Sequence, residues 1–521
     1  MSTEQRLDAI TPDLNRQGTV VASMTMLSRV SGFVRDVVLS HFFGATGVAD
    51  AFFVAFRIPN FFRRLFAEGA FSQAFVPVLA TYRAANDPAA LRRFVQVMLG
   101  NFGLLLVVVC VLGVGAAPAL VMLFAPGFWG DPVRLELTTD ILRVTFPYLG
   151  FISLTAFAGS VLNAHFRYAL PAFTPVLLNL SLIGAAWLIV PLMDPPVMGL
   201  AWGVFLAGVL QLAFQIPALG ALGMPLSPRL DRRHPGVTRV VRLVIPAVFA
   251  SSVSQVNTLV DTVLASLLVT GSISWLYYSD RLMELPIGIV AVAIGTVLLP
   301  SLSRYHAAGD THAMNRSLGW GIRMGVLLGA PAGVALYLLA TPLVATIFFH
   351  GALVANDVTM AALSLEAFAV GTLGFVVAKI AAPGYFARHD TMTPFRIALV
   401  SVAVNLVVSL SLFRFLGHVG LAFATSVAAI VQSYLLVRGL VRLGVYRPPA
   451  DFWMFLLRVV LALVAMAGVV EYSAPPDAAW LAASSWERMV DLALTCVLGL
   501  ATYLVALWVT GMRMDAVRYH T

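Results

Sequence analysis

The chain is 521 residues long, 60% of them hydrophobic and only 11% charged, with a formal net charge of +8. Soluble globular chains carry about 25% charged residues, so a large water-soluble protein is set aside and lipid is the expected solvent. Cys110 and Cys496 each lie in an apolar run with no Cys or His at ligand spacing, so they read as small hydrophobes, not as a disulfide or metal site.

Residues 1–17 are polar, with Glu4, Arg6, Asp8, Asp13 and Arg16, and form an expected N-terminal tail. The first apolar stretch is interrupted by Arg29, Arg35 and Asp36, unlike the short unbroken core of a cleavable signal. A bilayer core of about 30 Å needs about 20 mostly apolar residues per helix. In chain order, that rule predicts spans over 18–43, 48–82, 94–124, 137–163, 171–193, 197–220 and 238–268. Further spans follow over 272–303, 317–348, 360–386, 392–415, 418–444, 452–472 and 485–511. The fold class is therefore an all-α polytopic membrane protein of about fourteen transmembrane helices.

Lys and Arg collect in the cytoplasmic connections of such proteins. With the N-terminus inside, the inner connections hold Arg83, Arg92 and Arg93, then Arg167, then Arg229, Arg232, Arg233, Arg239 and Arg242. Arg304, Arg316, Arg388, Arg396, Arg438, Arg442 and Arg447 continue the pattern, with Arg513 and Arg518 in a tail over 512–521. Outer connections hold few basic residues and the acids Asp131, Glu136, Asp194, Asp357 and Asp477. Both termini are expected in the cytoplasm.

Pro77, Tyr82, Ala84, Ala85 and Asp87 recur as Pro300, Tyr305, Ala307, Ala308 and Asp310 at an offset of 223 residues. Arg57 and Arg281 repeat at an offset of 224. Two pseudo-symmetric six-helix lobes follow, 18–220 and 238–444, joined by a linker over 221–237, with two C-terminal helices over 452–511 outside the duplication. Parallel repeats of this kind suit alternating access around a site at their interface.

Ionisable residues inside a bilayer are costly and usually face a bundle interior or a wet cavity. The first span carries Arg29, Arg35 and Asp36, with Arg29 and Asp36 seven residues apart on one helical face. The second carries Asp50, Arg57 and Arg64 at seven-residue spacing, with Arg63 and Glu68 beside them. The eighth carries Asp280, Arg281 and Glu284, and the tenth carries Lys379, the chain's one lysine. Two readings of these charges stay open: pairing that sets helix register, and a cationic lumen that receives an anionic guest. Cations outnumber acids, which favours the second, since unpaired buried charge is expensive and guanidinium forks match phosphate geometry. Pro59, Pro286 and Gly32 are candidate flexible points beside the charges. No Gly-x4-Gly-Lys-Ser/Thr pattern is present, so nucleotide hydrolysis is not expected. A drug-cation exporter should present acids to its cargo, and an enzyme acting on polyprenyl phosphates should carry a base or an acid cluster; neither pattern appears.

Ser28-Arg29-Val-Ser-Gly32-Phe33-Val-Arg35-Asp36 and the run from Asp50 through Arg57-Ile-Pro59-Asn60 and Arg63-Arg64 to Glu68-Gly69 closely resemble the MurJ (MviN) family. Trp275 to Pro286 and Lys379-Ile-Ala-Ala-Pro383-Gly384 extend the resemblance over nearly the whole chain. It implies a bacterial lipid II flippase of the multidrug/oligosaccharidyl-lipid/polysaccharide exporter superfamily, multi-pass in the cytoplasmic (inner) membrane. Its cargo would be the undecaprenyl-pyrophosphate-linked peptidoglycan precursor, its surroundings membrane lipids, its protein partners other cell-wall synthesis proteins, with no nucleic acid and no catalysis. Carried over residue by residue, the substrate-binding set is Arg29, Arg35, Asp36, Asp50, Arg63, Arg64, Glu68, Arg281, Glu284 and Lys379. The two final helices would line a groove for the lipid tail. No cofactor is implied beyond a sodium or chloride ion. For sodium the candidates are Asp261, Asn405 and Thr425, where a structural Asp–Asn hydrogen bond is the other reading. An amide stands here where a relative has a second acid, and this weakens cation affinity.

Overall fold

The computed structural model describes residues 3–64, 71–224 and 227–512. Among them every regular element is helical, as a backbone without water requires: its N–H and C=O groups are then satisfied within each segment. In chain order the α-helices are α1 (Thr3–Phe43), α2 (Gly47–Phe62), α3 (Ser72–Ala84), α4 (Pro88–Gly115), α5 (Ala117–Phe124), α6 (Pro132–Thr145), α7 (Tyr148–Ala164), α8 (Ala169–Leu188) and α9 (Met198–Ala221). There follow α10 (Pro235–Ser266), α11 (Ser272–Ala307), α12 (Thr311–Leu338), α13 (Ala340–Phe348), α14 (Ala355–Ala369), α15 (Thr372–Phe386), α16 (Met392–Arg442), α17 (Phe452–Ser473), α18 (Asp477–Ala482) and α19 (Ser485–Val509).

Each predicted span falls on a helix or on a broken pair. The third maps to α4 and α5, the fourth to α6 and α7, the ninth to α12 and α13, the tenth to α14 and α15. The eleventh and twelfth share α16, which breaks at Gly417 with φ +57°. By length and apolarity, nine of the described helices can cross a bilayer, or ten if the bent pair α14–α15 is one span. That number is smaller than the fourteen predicted because α16 counts once yet holds two predicted spans, and because α1, α2 with α3, and α10 are not among the helices that qualify. The polar stretch predicted as a tail is helical from Thr3 onward. Glu68 lies outside the described residues.

By contact, the chain forms two compact units, Met1–Leu267 and Leu268–Thr521. Helix α10 packs on α3, α4 and α5 in the first unit, so contact divides the chain one helix later than the sequence duplication does. Both units turn large apolar side chains outward, among them Val107, Val111 and Leu112 on α4 and Val464, Val497 and Val505 on α17 and α19. Hydrocarbon, not water, is the solvent those faces suit.

The duplication is visible in backbone detail. Asp87 caps α4 by accepting from the Ala89 and Ala90 amides, and Asp310 caps α12 by accepting from the Ala313 amide. The residues just before them, Asn86 and Gly309, are both left-handed, with φ +54° and +69°. Asn and Gly tolerate that conformation best, which explains the change of residue at a kept shape. Asp87→Ala and Asp310→Ala should each cost about 1 kcal/mol. Thermal unfolding in detergent checks this, and an unchanged melting temperature for either variant would contradict the shared capping role.

In the first unit, Phe71, Phe75, Phe94, Phe102 and Phe157 form an aromatic core between α3, α4 and α7. Phe71 stacks on Phe102 with ring centroids 4.3 Å apart. In the second unit, α12 presents Gly321, Gly325, Gly329 and Gly333, one every four residues, toward α11 and α15. A Cβ on Gly329 would stand 3.3 Å from the Cβ and both methyl groups of Val376, and one on Gly325 would collide with Ile380. Small residues at this spacing let two helix backbones approach closely in lipid.

Candidate substrate-binding charges

In the first unit, helix α1 sets Arg35 and Asp36 side by side, and the two pair with each other. Arg35 Nη2 lies 2.6 Å from Asp36 Oδ1. Arg35 is 7% exposed and Asp36 1%. Arg35 Nη1 also donates to Asn179 Oδ1 on α8 at 3.1 Å. Asn179 in turn donates to the Ser28 carbonyl at 3.0 Å and the Ser31 hydroxyl at 2.9 Å. Asn179 also packs over Gly32, where a Cβ would meet its Nδ2 at 3.4 Å, an ordinary van der Waals distance.

Helix α2 begins under a Thr46 cap and buries Asp50 in its first turn. The positive end of the helix dipole favours a carboxylate there. Farther along, Arg57 donates to the Thr262 hydroxyl on α10 at 3.0 Å, and Arg63 Nε donates to Asn60 Oδ1 at 3.0 Å. The fully buried Tyr148 on α7 feels both Arg35 and Arg63 electrostatically, with the Gln211 side chain beside it. Arg29 and Arg64 are exposed and form no ion pair with a described residue.

In the second unit, α11 brings Arg281 and Glu284 together across one turn, with Nη1 to Oε2 at 2.8 Å. The Arg281 guanidinium also lies over the Tyr277 ring, 4.9 Å from its centroid. Both partners of the pair remain partly open, with side-chain exposures of 32% and 55%. Lys379 on α15 is exposed and makes no hydrogen bond or ion pair with a described residue. Asn405 and Thr425 meet across the Gly417 bend, the Thr425 hydroxyl donating to Asn405 Oδ1 at 3.4 Å. Asp261, their proposed partner, belongs to α10 in the first unit.

The predicted residues therefore separate by state. Arg35 with Asp36 is a buried pair fixed by α8. Arg281 with Glu284 is a half-open pair. Arg29, Arg64 and Lys379 are exposed cations on the first, second and tenth predicted spans. Sequence reasoning missed Asn179, Tyr148, Gln211, Thr262 and Tyr277. Asn179 and Gln211 had left a trace, as amides in otherwise apolar helical runs, where a polar side chain needs a partner.

The family model for lipid II flippase MurJ matches residues 39–489. The probable lipid II flippase MurJ of Vibrio cholerae serotype O1 is 42% identical over 515 residues, which cover 98% of each chain. Among solved structures, a lipid II flippase MurJ in an inward closed conformation superposes with a TM-score of 0.81 at 24% identity, covering 96% of this chain and all of that one. An inward-facing multidrug resistance transporter of the MATE family, in the MOP superfamily, shares the fold more distantly, with a TM-score of 0.67 at 13% identity over 82% of this chain and 98% of the other. With the family model matching residues 39–489 and a relative 42% identical along 98% of the chain, this protein belongs to the MurJ family of lipid II flippases.

Proposed function

We propose that the protein moves lipid II from the inner to the outer leaflet of the bacterial cytoplasmic membrane by alternating access, with both termini in the cytoplasm. The pyrophosphate and sugar–peptide headgroup occupies a cationic central cavity, and the polyprenyl tail stays in lipid along a groove beside α17 and α19. One observation carries the proposal: Arg29, Arg64 and Lys379, on the first, second and tenth predicted spans, are exposed and have no carboxylate partner among the described residues. An ammonium or guanidinium in that position is costly unless an anion or water reaches it, and a pyrophosphate answers both demands.

The half-open Arg281–Glu284 pair supports a cycle. Its guanidinium turns from Glu284 to the headgroup when cargo arrives, and back after release, so Arg281 itself is not left bare in the empty site. Arg35 and Asp36 act as a fixed neutral base under the exposed Arg29. Sodium at Asp261, Asn405 and Thr425 and the membrane potential are the proposed sources of bias; the potential contributes about 2.3 kcal/mol per elementary charge moved across 100 mV. Other cell-wall synthesis proteins are the proposed partners.

Purified protein reconstituted into liposomes with lipid II on the inner side tests the reading. Lipid II should become accessible to an outer-leaflet probe faster than in protein-free vesicles. Equal rates in both would refute the proposed activity.

A further inference from the structure

Pro331 lies inside α12. Proline has no N–H, so the carbonyl four residues earlier, that of Leu327, loses its helical donor. In hydrocarbon no water replaces it, and such breaks persist where a neighbouring helix satisfies the freed group. Here α19 does so: the Tyr503 hydroxyl donates to the Leu327 carbonyl oxygen at 2.9 Å. Tyr503 is 2% exposed and sits in an apolar cluster with Val326 and Ala330 of α12 and Met466 and Val470 of α17.

The opposite side of the same stretch of α12 is the glycine ladder. Gly325 and Gly329, which flank Leu327 in sequence, receive Ile380 and Val376 of α15. Lys379 lies between those two residues in α15. A change in the bend of α12 therefore reaches Lys379 through a contact with no slack, since interiors packed this closely shift as units. The ends of the hairpin are also fastened to the second unit. Arg323 of α12 pairs with Asp451 at the start of α17, and Arg488 of α19 donates to the Ala345 and Phe349 carbonyls at the end of α13.

We infer that Tyr503 is a positioning residue for transport: it holds the Pro331 bend of α12 and thereby sets where α15 presents Lys379. The C-terminal hairpin then moves with α12 and α15 as one body. This inference rests on the proposed headgroup role of Lys379 for its functional consequence, but its geometry can be tested apart from that role.

The test uses full-length protein with Cys110 and Cys496 replaced by alanine and Lys379→Cys introduced, labelled by a water-soluble thiol reagent. Tyr503→Phe, which keeps the ring and removes only the hydroxyl, should change the labelling rate about fivefold, the scale of one lost hydrogen bond. In the Pro331→Ala background the helix supplies its own donor to Leu327, so Tyr503→Phe should have no further effect. Pro331→Val serves the same comparison if Pro331→Ala does not accumulate. An unchanged labelling rate in Tyr503→Phe, or an equal change with and without Pro331, would overturn the inference. Transport by Lys379→Cys is read separately: normal lipid II movement there would count against the headgroup role, whereas the labelling cycle alone decides the positioning role.

Discussion

Arg29→Ala is expected to reduce lipid II translocation by at least about tenfold while leaving the amount and melting temperature of the protein unchanged. Arg29 is exposed and forms no ion pair with a described residue, so its removal deletes no packing and strands no carboxylate. What it removes is a charged donor to phosphate, and a hydrogen bond to a charged group contributes about 1.5–3 kcal/mol, or about ten- to a hundredfold. Arg29→Lys should keep part of the activity, since an ammonium retains the charge but loses the two-pronged fork. Translocation in proteoliposomes, compared at equal protein, checks both variants. Normal rates for Arg29→Ala would remove this residue from the headgroup site.

Arg35→Ala should behave in the opposite way and fail as a protein before it fails as a transporter. Its loss leaves Asp36, 1% exposed, without its 2.6 Å counter-charge. Removing one partner of a buried pair costs about 3–5 kcal/mol, because the remaining charge stays buried and unmatched. Asn179 would lose a partner as well, which weakens the α1–α8 contact. Adding Asp36→Asn removes the stranded charge, so the double variant should recover most of the lost stability. Thermal unfolding and yield in the membrane measure this. A single variant that melts like the parent, or a double variant no more stable than the single, would show that the pair is not structural.

The contrast between these neighbours marks what could be read from residue order. Helical spacing placed Arg29 and Asp36 on one face of α1 and set Arg35 beside them. It could not tell which cation is buried, because a residue that packs on Arg35, Asn179, is 144 positions away on another helix. The helical class was legible, since lipid forces long apolar helices whatever their tertiary partners, and the nine or ten described helices that qualify are consistent with the fourteen expected. Breaks such as those after α4, α6 and α12 were not legible, because each depends on local hydrogen bonding that apolar periodicity does not encode. The duplication was legible at Asp87 and Asp310 because both carry out the same helix-capping chemistry. The open carbonyl at Leu327 and its remedy at Tyr503 were not legible, since nothing in the order of residues tells which distant hydroxyl meets a freed carbonyl.

The central claim is that unneutralised cations on spanning helices recognise an anionic lipid headgroup. Its most direct test is the affinity of purified protein for lipid II, measured against the Arg29→Ala/Arg64→Ala/Lys379→Ala variant over a range of salt concentrations. The account predicts that the parent binds at least about a hundredfold more tightly at low salt, from summed charged hydrogen bonds, and that its advantage shrinks as salt rises. Equal affinity of the two proteins, at every salt concentration, would contradict it.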